Sequence, residues 1–170
     1  MQPPPPPGLR RPSILIAGIG NIFLGDDGFG VEVVRRLSGQ PLGDGVDVAD
    51  FGIRGVHLAY ELADGRYDAA ILVDAVSRGD APGTLYMIEP DVAGRVEPSD
   101  ADAHSLTPDA VLAWVRQVGG HLDRVVVVGC EPAAIEESME LSEPVSAAVD
   151  GAVEMIRTLV AELTGALPCA

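Results

Sequence analysis

Three short runs constrain this chain most: Ile14 to Ala17, Ala69 to Val73, and Arg124 to Gly129. Each is apolar almost throughout, with no polar residue at alternate positions, and each is far shorter than a buried helix. A strand wet on one face alternates in polarity; one that does not is covered on both faces, as in a parallel sheet packed between helices. The segments between these runs supply the covering helices. Phe29 to Leu37 carries Phe29, Val33, Val34 and Leu37 on one helical face and Glu32, Arg35 and Arg36 on the other.

Val46 to Phe51 reads as a second strand and Val56 to Leu62 as a second, shorter helix. Thr84 to Ile88 follows a Pro82-Gly83 turn and reads as an edge strand. Thr107 and Pro108 are an N-cap and first helical position for a helix running through Val118, and Ser142-Glu143-Pro144 opens a last helix to about Leu163. The alternation predicts an α/β fold: three layers, with a twisted, mostly parallel sheet of about five strands flanked by helices.

The 170 residues suit one domain, expected over 13–165 between a proline-rich tail, 1–12, and a short C-terminal tail, 166–170. Hydrophobic residues at 47% are enough to build a core. The 26 acidic residues outnumber 11 basic ones, all arginine, for a net charge of -15 with no basic block, which argues against nucleic acid or an anionic membrane as partner. Arg10 and Arg11 before the Ile14–Leu24 stretch imitate a signal peptide, but Gly18, Gly20 and Asn21 interrupt the apolar run. No run approaches the roughly 20 apolar residues of a membrane span. Cys130 and Cys169 make no disulfide framework, which suits a reducing cytoplasm. With no membrane span and no apolar face beyond what the sheet should cover, a soluble monomer is expected.

The densest motif lies between the first strand and first helix: Gly18-Ile-Gly20-Asn21, then Gly25-Asp26-Asp27-Gly28-Phe-Gly30. A dinucleotide fingerprint would need glycine where Phe23 stands, and two carboxylates at the helix start would repel a pyrophosphate. The absence of lysine excludes a P-loop. A second reading uses the switch point of an open α/β sheet, where ligands bind beyond the carboxyl ends of the strands. The third strand ends in Val73-Asp74-Ala75, so Asp26 or Asp27 would meet Asp74 there if strands one and three are neighbours.

Three histidines could complete such a site. His57 and Glu61 are spaced i,i+4, equally suited to a metal or a surface pair; His121 sits in a polar Gly-Gly-His loop; His104 precedes a helix in Asp102-Ala-His104-Ser105. Two carboxylates and an imidazole suit a borderline divalent ion such as nickel or zinc.

Together these motifs resemble the [NiFe]-hydrogenase maturation proteases. The likeness runs in order through the glycine loop, Asp50-Phe-Gly52-Ile-Arg-Gly55, Val73-Asp74-Ala75-Val76, Ala81-Pro82-Gly83-Thr84, Asp102-Ala-His104-Ser105-Leu106, Gly129-Cys130-Glu131-Pro132 and Leu141-Ser142. The resemblance implies an endopeptidase that removes the C-terminal extension of a hydrogenase large-subunit precursor. It implies that Asp27, Asp74 and His104 contact nickel already installed in that precursor, the metal being supplied by the substrate. It also implies that the Gly52–Gly55 loop, with Gly52, Arg54 and Gly55, takes part in distinguishing precursors. Ile53 stands where the family pattern often has threonine, which removes a hydroxyl from that loop. Asp26 is expected to shape the glycine loop, and Cys130 to be a small residue closing a strand. No Gly-x-Ser-x-Gly elbow or His-Glu-x-x-His helix competes with metal-assisted amide hydrolysis. The other classes open to the same residues are a nickel-dependent assembly factor, a nucleotide-binding domain and a metal-dependent phosphohydrolase.

Overall fold

A computed structural model of the chain describes residues 11–90 and 107–165. His104, most of the proline-rich tail and residues 166–170 lie outside the described residues. The chain runs β1 (Ile14–Ile19), a 3-10 turn (Gly25–Gly28), α1 (Phe29–Leu37), β2 (Val46–Gly52), α2 (Gly55–Ala63) and β3 (Ala69–Ala75). It continues through β4 (Leu85–Ile88), α3 (Pro108–Gln117), β5 (Arg124–Cys130) and α4 (Glu143–Leu163). Every element read from the sequence is present. The differences are of one or two residues at the ends, plus the 3-10 turn, whose sequence Gly-Asp-Asp-Gly carries no hydrophobic period.

The five strands lie in the order β2-β1-β3-β5-β4. β1, β2, β3 and β5 are parallel, and β4 pairs antiparallel with β5 at the edge. β1 and β3 are therefore hydrogen-bonded neighbours, with Ile14 beside Ala69 and Gly18 beside Val73. The central strands β1, β3 and β5 are buried on both faces because two helix pairs cover them. Phe29, Val33, Val34 and Leu37 of α1 and Val145, Val149, Ile156 and Leu159 of α4 pack on Ile14, Ile16, Ile71, Val126 and Val128. Leu58 and Leu62 of α2 and Val111, Leu112 and Val115 of α3 pack on the opposite face, against Leu15, Ala17, Leu72 and Val127.

Leaving β1, the chain passes through α1 to β2 on one side; leaving β3, it passes to β4 and β5 on the other. The carboxyl ends of β1 and β3 are thus the point where the connections diverge, and the diverging loops leave a crevice between them. Among the described residues no helix is long and apolar enough to cross a membrane.

Candidate active site

The local sequence folds the loop after β1 back over that crevice. Gly20 has φ +131°, and a Cβ built there would stand 1.8 Å from the Asp27 carbonyl oxygen. Any larger residue would push the 3-10 turn outward. Gly30 performs the matching service at the start of α1, where a Cβ would meet the Val73 carbonyl oxygen at 2.0 Å. With both contacts closed, Asp27 from the β1 loop and Asp74 from the end of β3 line one cleft of about 650 Å³. Its walls include the apolar Leu24, Ile53, Ile88 and Ile135, with Arg78 and Asp109 as further charged residues.

The strand-end reading left Asp26 or Asp27 for this meeting and the family resemblance implied Asp27; the structure has Asp27 lining the cleft. Asp27 faces the cleft, its carboxylate accepting the Asn21 backbone N–H at 2.7 Å. Asp26 turns the other way and is 1% exposed. It accepts the backbone N–H groups of Ala133, Ala134 and Ser142 and the Ser142 hydroxyl, at 2.7 to 3.1 Å. Burial alone would raise its pKa, but the hydrogen bonds from Ser142, Ala134 and Ala133 outweigh that and hold it below the ordinary carboxylate value. Asp26 thereby ties the β1 loop to the segment before α4. That tie is extended by the Gly25 N–H to the Ser138 carbonyl and the Ser138 N–H to the Phe23 carbonyl. Ser142 stands at the N-cap of α4, yet its side chain makes no cap and donates to Asp26 instead.

Asp74 is 6% exposed and accepts a hydrogen bond from the Ala75 N–H at 2.8 Å. Burial first, and the negative charge of Asp27 second, push its carboxyl well above the usual range. A carboxylate with too few donors, beside a second carboxylate, is arranged to receive either a proton or a cation. Among the described residues no three His, Cys, Asp or Glu side chains gather as a metal-holding group.

The other sequence candidates are placed as follows. His57 is exposed on α2, while its i+4 neighbour Glu61 pairs with Arg66. His121 is exposed and lies 3.3 Å from Asp123. Gly52 adopts φ +51° at the end of β2, its carbonyl accepting the Gly20 N–H at 3.0 Å. Arg54 folds back on its own loop, donating to the carbonyls of Asp50 and Phe51 with its guanidinium over the Phe51 ring. Gly55 is buried as the first residue of α2. Exposed Ile53 reaches both the main cleft and a second hollow bounded by Phe23 and Arg54. Cys130 is fully buried, and burial, then the charges of Asp26 and Glu131, push its thiol up to about 11. A thiol so rarely ionised near neutral pH is a poor nucleophile.

Sequence reasoning passed over Glu131, a 6%-exposed carboxylate just beyond β5. It accepts the N–H groups of Arg78 and Gly79 and lies 2.6 Å from the Tyr86 hydroxyl. The signal was the one that marked Asp74, an acidic residue closing an apolar run.

Comparison with known proteins gives a consistent result. The sequence profile of the hydrogenase maturation protease family matches residues 31–159. The chain is 30% identical over 151 residues to the hydrogenase 2 maturation protease of Escherichia coli, spanning 88% of this chain and 91% of that protein. It is 34% identical over 154 residues to the hydrogenase expression/formation protein HupM of Azotobacter chroococcum, spanning 89% of this chain and 73% of that one. Among solved structures, the hydrogenase maturating endopeptidase HybD of E. coli superposes with a TM-score of 0.73 at 30% identity, covering 88% of this chain and 93% of its own.

Proposed function

The chain belongs to the hydrogenase maturation protease family and is an endopeptidase; on that premise we propose that its substrate is a [NiFe]-hydrogenase large-subunit precursor, from which it removes the C-terminal extension once nickel is in place. The nickel belongs to the substrate, and Asp27, Asp74 and His104 read it. The observation that carries this reading is the convergence of Asp27 and Asp74 on one cleft at the β1/β3 switch point, with Asp74 buried and short of donors. Carboxylate oxygens and an imidazole nitrogen match a borderline divalent ion.

The chemistry follows from that placement. The metal ion brought by the precursor satisfies the excess charge of the carboxylate pair and fixes the neighbouring peptide bond in the cleft. A water molecule gives a proton to a carboxylate while its oxygen attacks the carbonyl carbon. The proton then passes to the leaving amine as the C–N bond breaks. Of the two carboxylates, Asp74 is the one the fold buries, and it is assigned that proton. One copy of the enzyme serves one precursor, in the cytoplasm. The Gly52–Gly55 loop meets the precursor through Ile53 and its backbone, with Arg54 holding the loop in shape.

The test is incubation with nickel-loaded and nickel-free precursor followed by intact-mass measurement. Loss of a C-terminal peptide from the loaded form alone supports the reading; no loss from either form overturns it. Binding without mass loss would point to an assembly factor instead.

A further inference from the structure

Arg78 lines the same cleft as Asp27 and Asp74, in a protein whose net charge is -15. Among the described residues it is the one cationic side chain lining that cleft. Its guanidinium lies over the face of Tyr86, 5.6 Å from the ring centroid, and no ion pair engages it among the described residues. The surroundings hold it there. Glu131 accepts the N–H of Arg78 itself at 2.7 Å and that of Gly79 at 3.2 Å, fixing the loop backbone. The Tyr86 hydroxyl stands 2.6 Å from Glu131 and 2.9 Å from Asp80, donating to one at a time, so the ring beneath the guanidinium is fixed too. A nine-tenths-buried carboxylate is thus used on the support of an arginine rather than in an ion pair with it.

A guanidinium stacked by one face keeps its edge free, and that planar fork matches a carboxylate with two parallel hydrogen bonds. The substrate of an endopeptidase is a polypeptide, whose anionic groups are its acidic side chains and its terminal carboxylate. Resting on the reading of the cleft as the peptidase site, we propose that Arg78 is a substrate-binding residue, pairing with a carboxylate of the precursor chain near the bond to be cut. Arg78 lies four positions beyond Asp74, a span of about 14 Å at full extension. The recognised carboxylate therefore lies within roughly four to six residues of the scissile bond. The cleft then reads two features of one substrate, a cation at Asp27 and Asp74 and an anion at Arg78.

The test measures precursor binding and steady-state cleavage for the wild type, Arg78→Ala and Arg78→Lys. Its substrates are the precursor, variants with each Asp or Glu near the scissile bond changed to Asn or Gln, and a form whose terminal carboxylate is displaced by appended neutral residues. Arg78→Ala should raise Kd and KM about tenfold with kcat changed less than twofold, and Arg78→Lys should recover part of the loss. One substrate change should cost the wild type a similar factor and cost Arg78→Ala nothing more. If that change is the displaced terminus, the partner is the α-carboxylate; if a side-chain change, it is that acidic residue. Kd and KM within twofold of wild type for Arg78→Ala, or losses that add for every substrate change, overturn the proposal. Because binding is measured separately, a precursor that binds without being shortened overturns the peptidase assignment of the cleft while the binding arm still decides Arg78.

Discussion

Asp26 and Asp74 are both nearly sealed from solvent, one just beyond β1 and the other at the end of its neighbour β3, yet their surroundings drive them in opposite directions. Asp26 has three backbone N–H groups and a hydroxyl around it, all from residues more than 100 positions away in sequence. Asp74 has the N–H of the next residue and, close by, another negative charge. The first is a carboxylate the fold requires ionised; the second is one the fold strains when ionised. Burial does not distinguish structural acids from functional ones. The count of donors does, because an unmet buried charge is tolerated only where a ligand or proton completes it.

The largest effect expected from this difference is at Asp74. Asp74→Asn should lower precursor cleavage by about a thousandfold or more, through loss of a charge that both holds the substrate and carries a proton. Its stability should move the other way. A carboxyl whose folded pKa is raised stabilises the fold while protonated, fully so below the unfolded value near 4, and that contribution is lost as pH rises through the raised pKa. At pH 7 the unfolded wild type is free to ionise and the folded one does so only at a cost, a penalty the amide does not carry, so Asp74→Asn should melt higher at pH 7. Near pH 4 the gap should close. A variant less stable than wild type at pH 7 would contradict the account of Asp74 as a strained charge.

Asp26 should show the reverse pattern. Asp26→Ala leaves four donors without their acceptor and should cost about 3 kcal/mol in denaturant unfolding. The lowered folded pKa fixes the pH dependence: the wild-type advantage is present above about pH 4 and shrinks as pH falls through the folded value. Cleavage should fall too, by roughly tenfold to a hundredfold, since Asp27 rides on the turn that Asp26 secures. If Asp26→Ala matched Asp74→Asn in abolishing cleavage while keeping wild-type stability, the division of labour between the two acids would be wrong.

How far this contrast was legible in the sequence depends on distance along the chain. Asp74 was legible as an acidic residue closing the run Ala69–Val73, on the condition that β1 and β3 are neighbours, and they do pair. The glycine loop was legible as a dense motif at a switch point; that Gly20 and Gly30, lacking side chains, admit the carbonyls of Asp27 and Val73 against them is visible only in the fold. Which of two adjacent aspartates faces the cleft came only through the family resemblance, because the 3-10 turn that rotates them apart leaves no hydrophobic period. Ser142 was legible as the N-cap position before Glu143-Pro144, but only the folded chain brings Asp26 within reach of its hydroxyl. Glu131, Tyr86 and Arg78 form one assembly from β5, β4 and the loop after β3. No spacing rule within one segment records such an assembly.

The smallest effect would test the contrast most directly, because Cys130 lies where the two acids can be told apart. Burial is the main cause that pushes its thiol up to about 11, and the charge of Asp26 is the next; Asp74 is not among the causes. In a Cys169→Ser background, Cys130 is the remaining cysteine and its thiolate absorbance can be titrated alone. Asp26→Asn should lower that pKa by a fraction of a unit, whereas Asp74→Asn should leave it where it is. If neither moved it, Asp26 would not carry the permanent charge that its four donors imply. If Asp74→Asn moved it as much, the buried charge between β1 and β3 would be shared rather than divided.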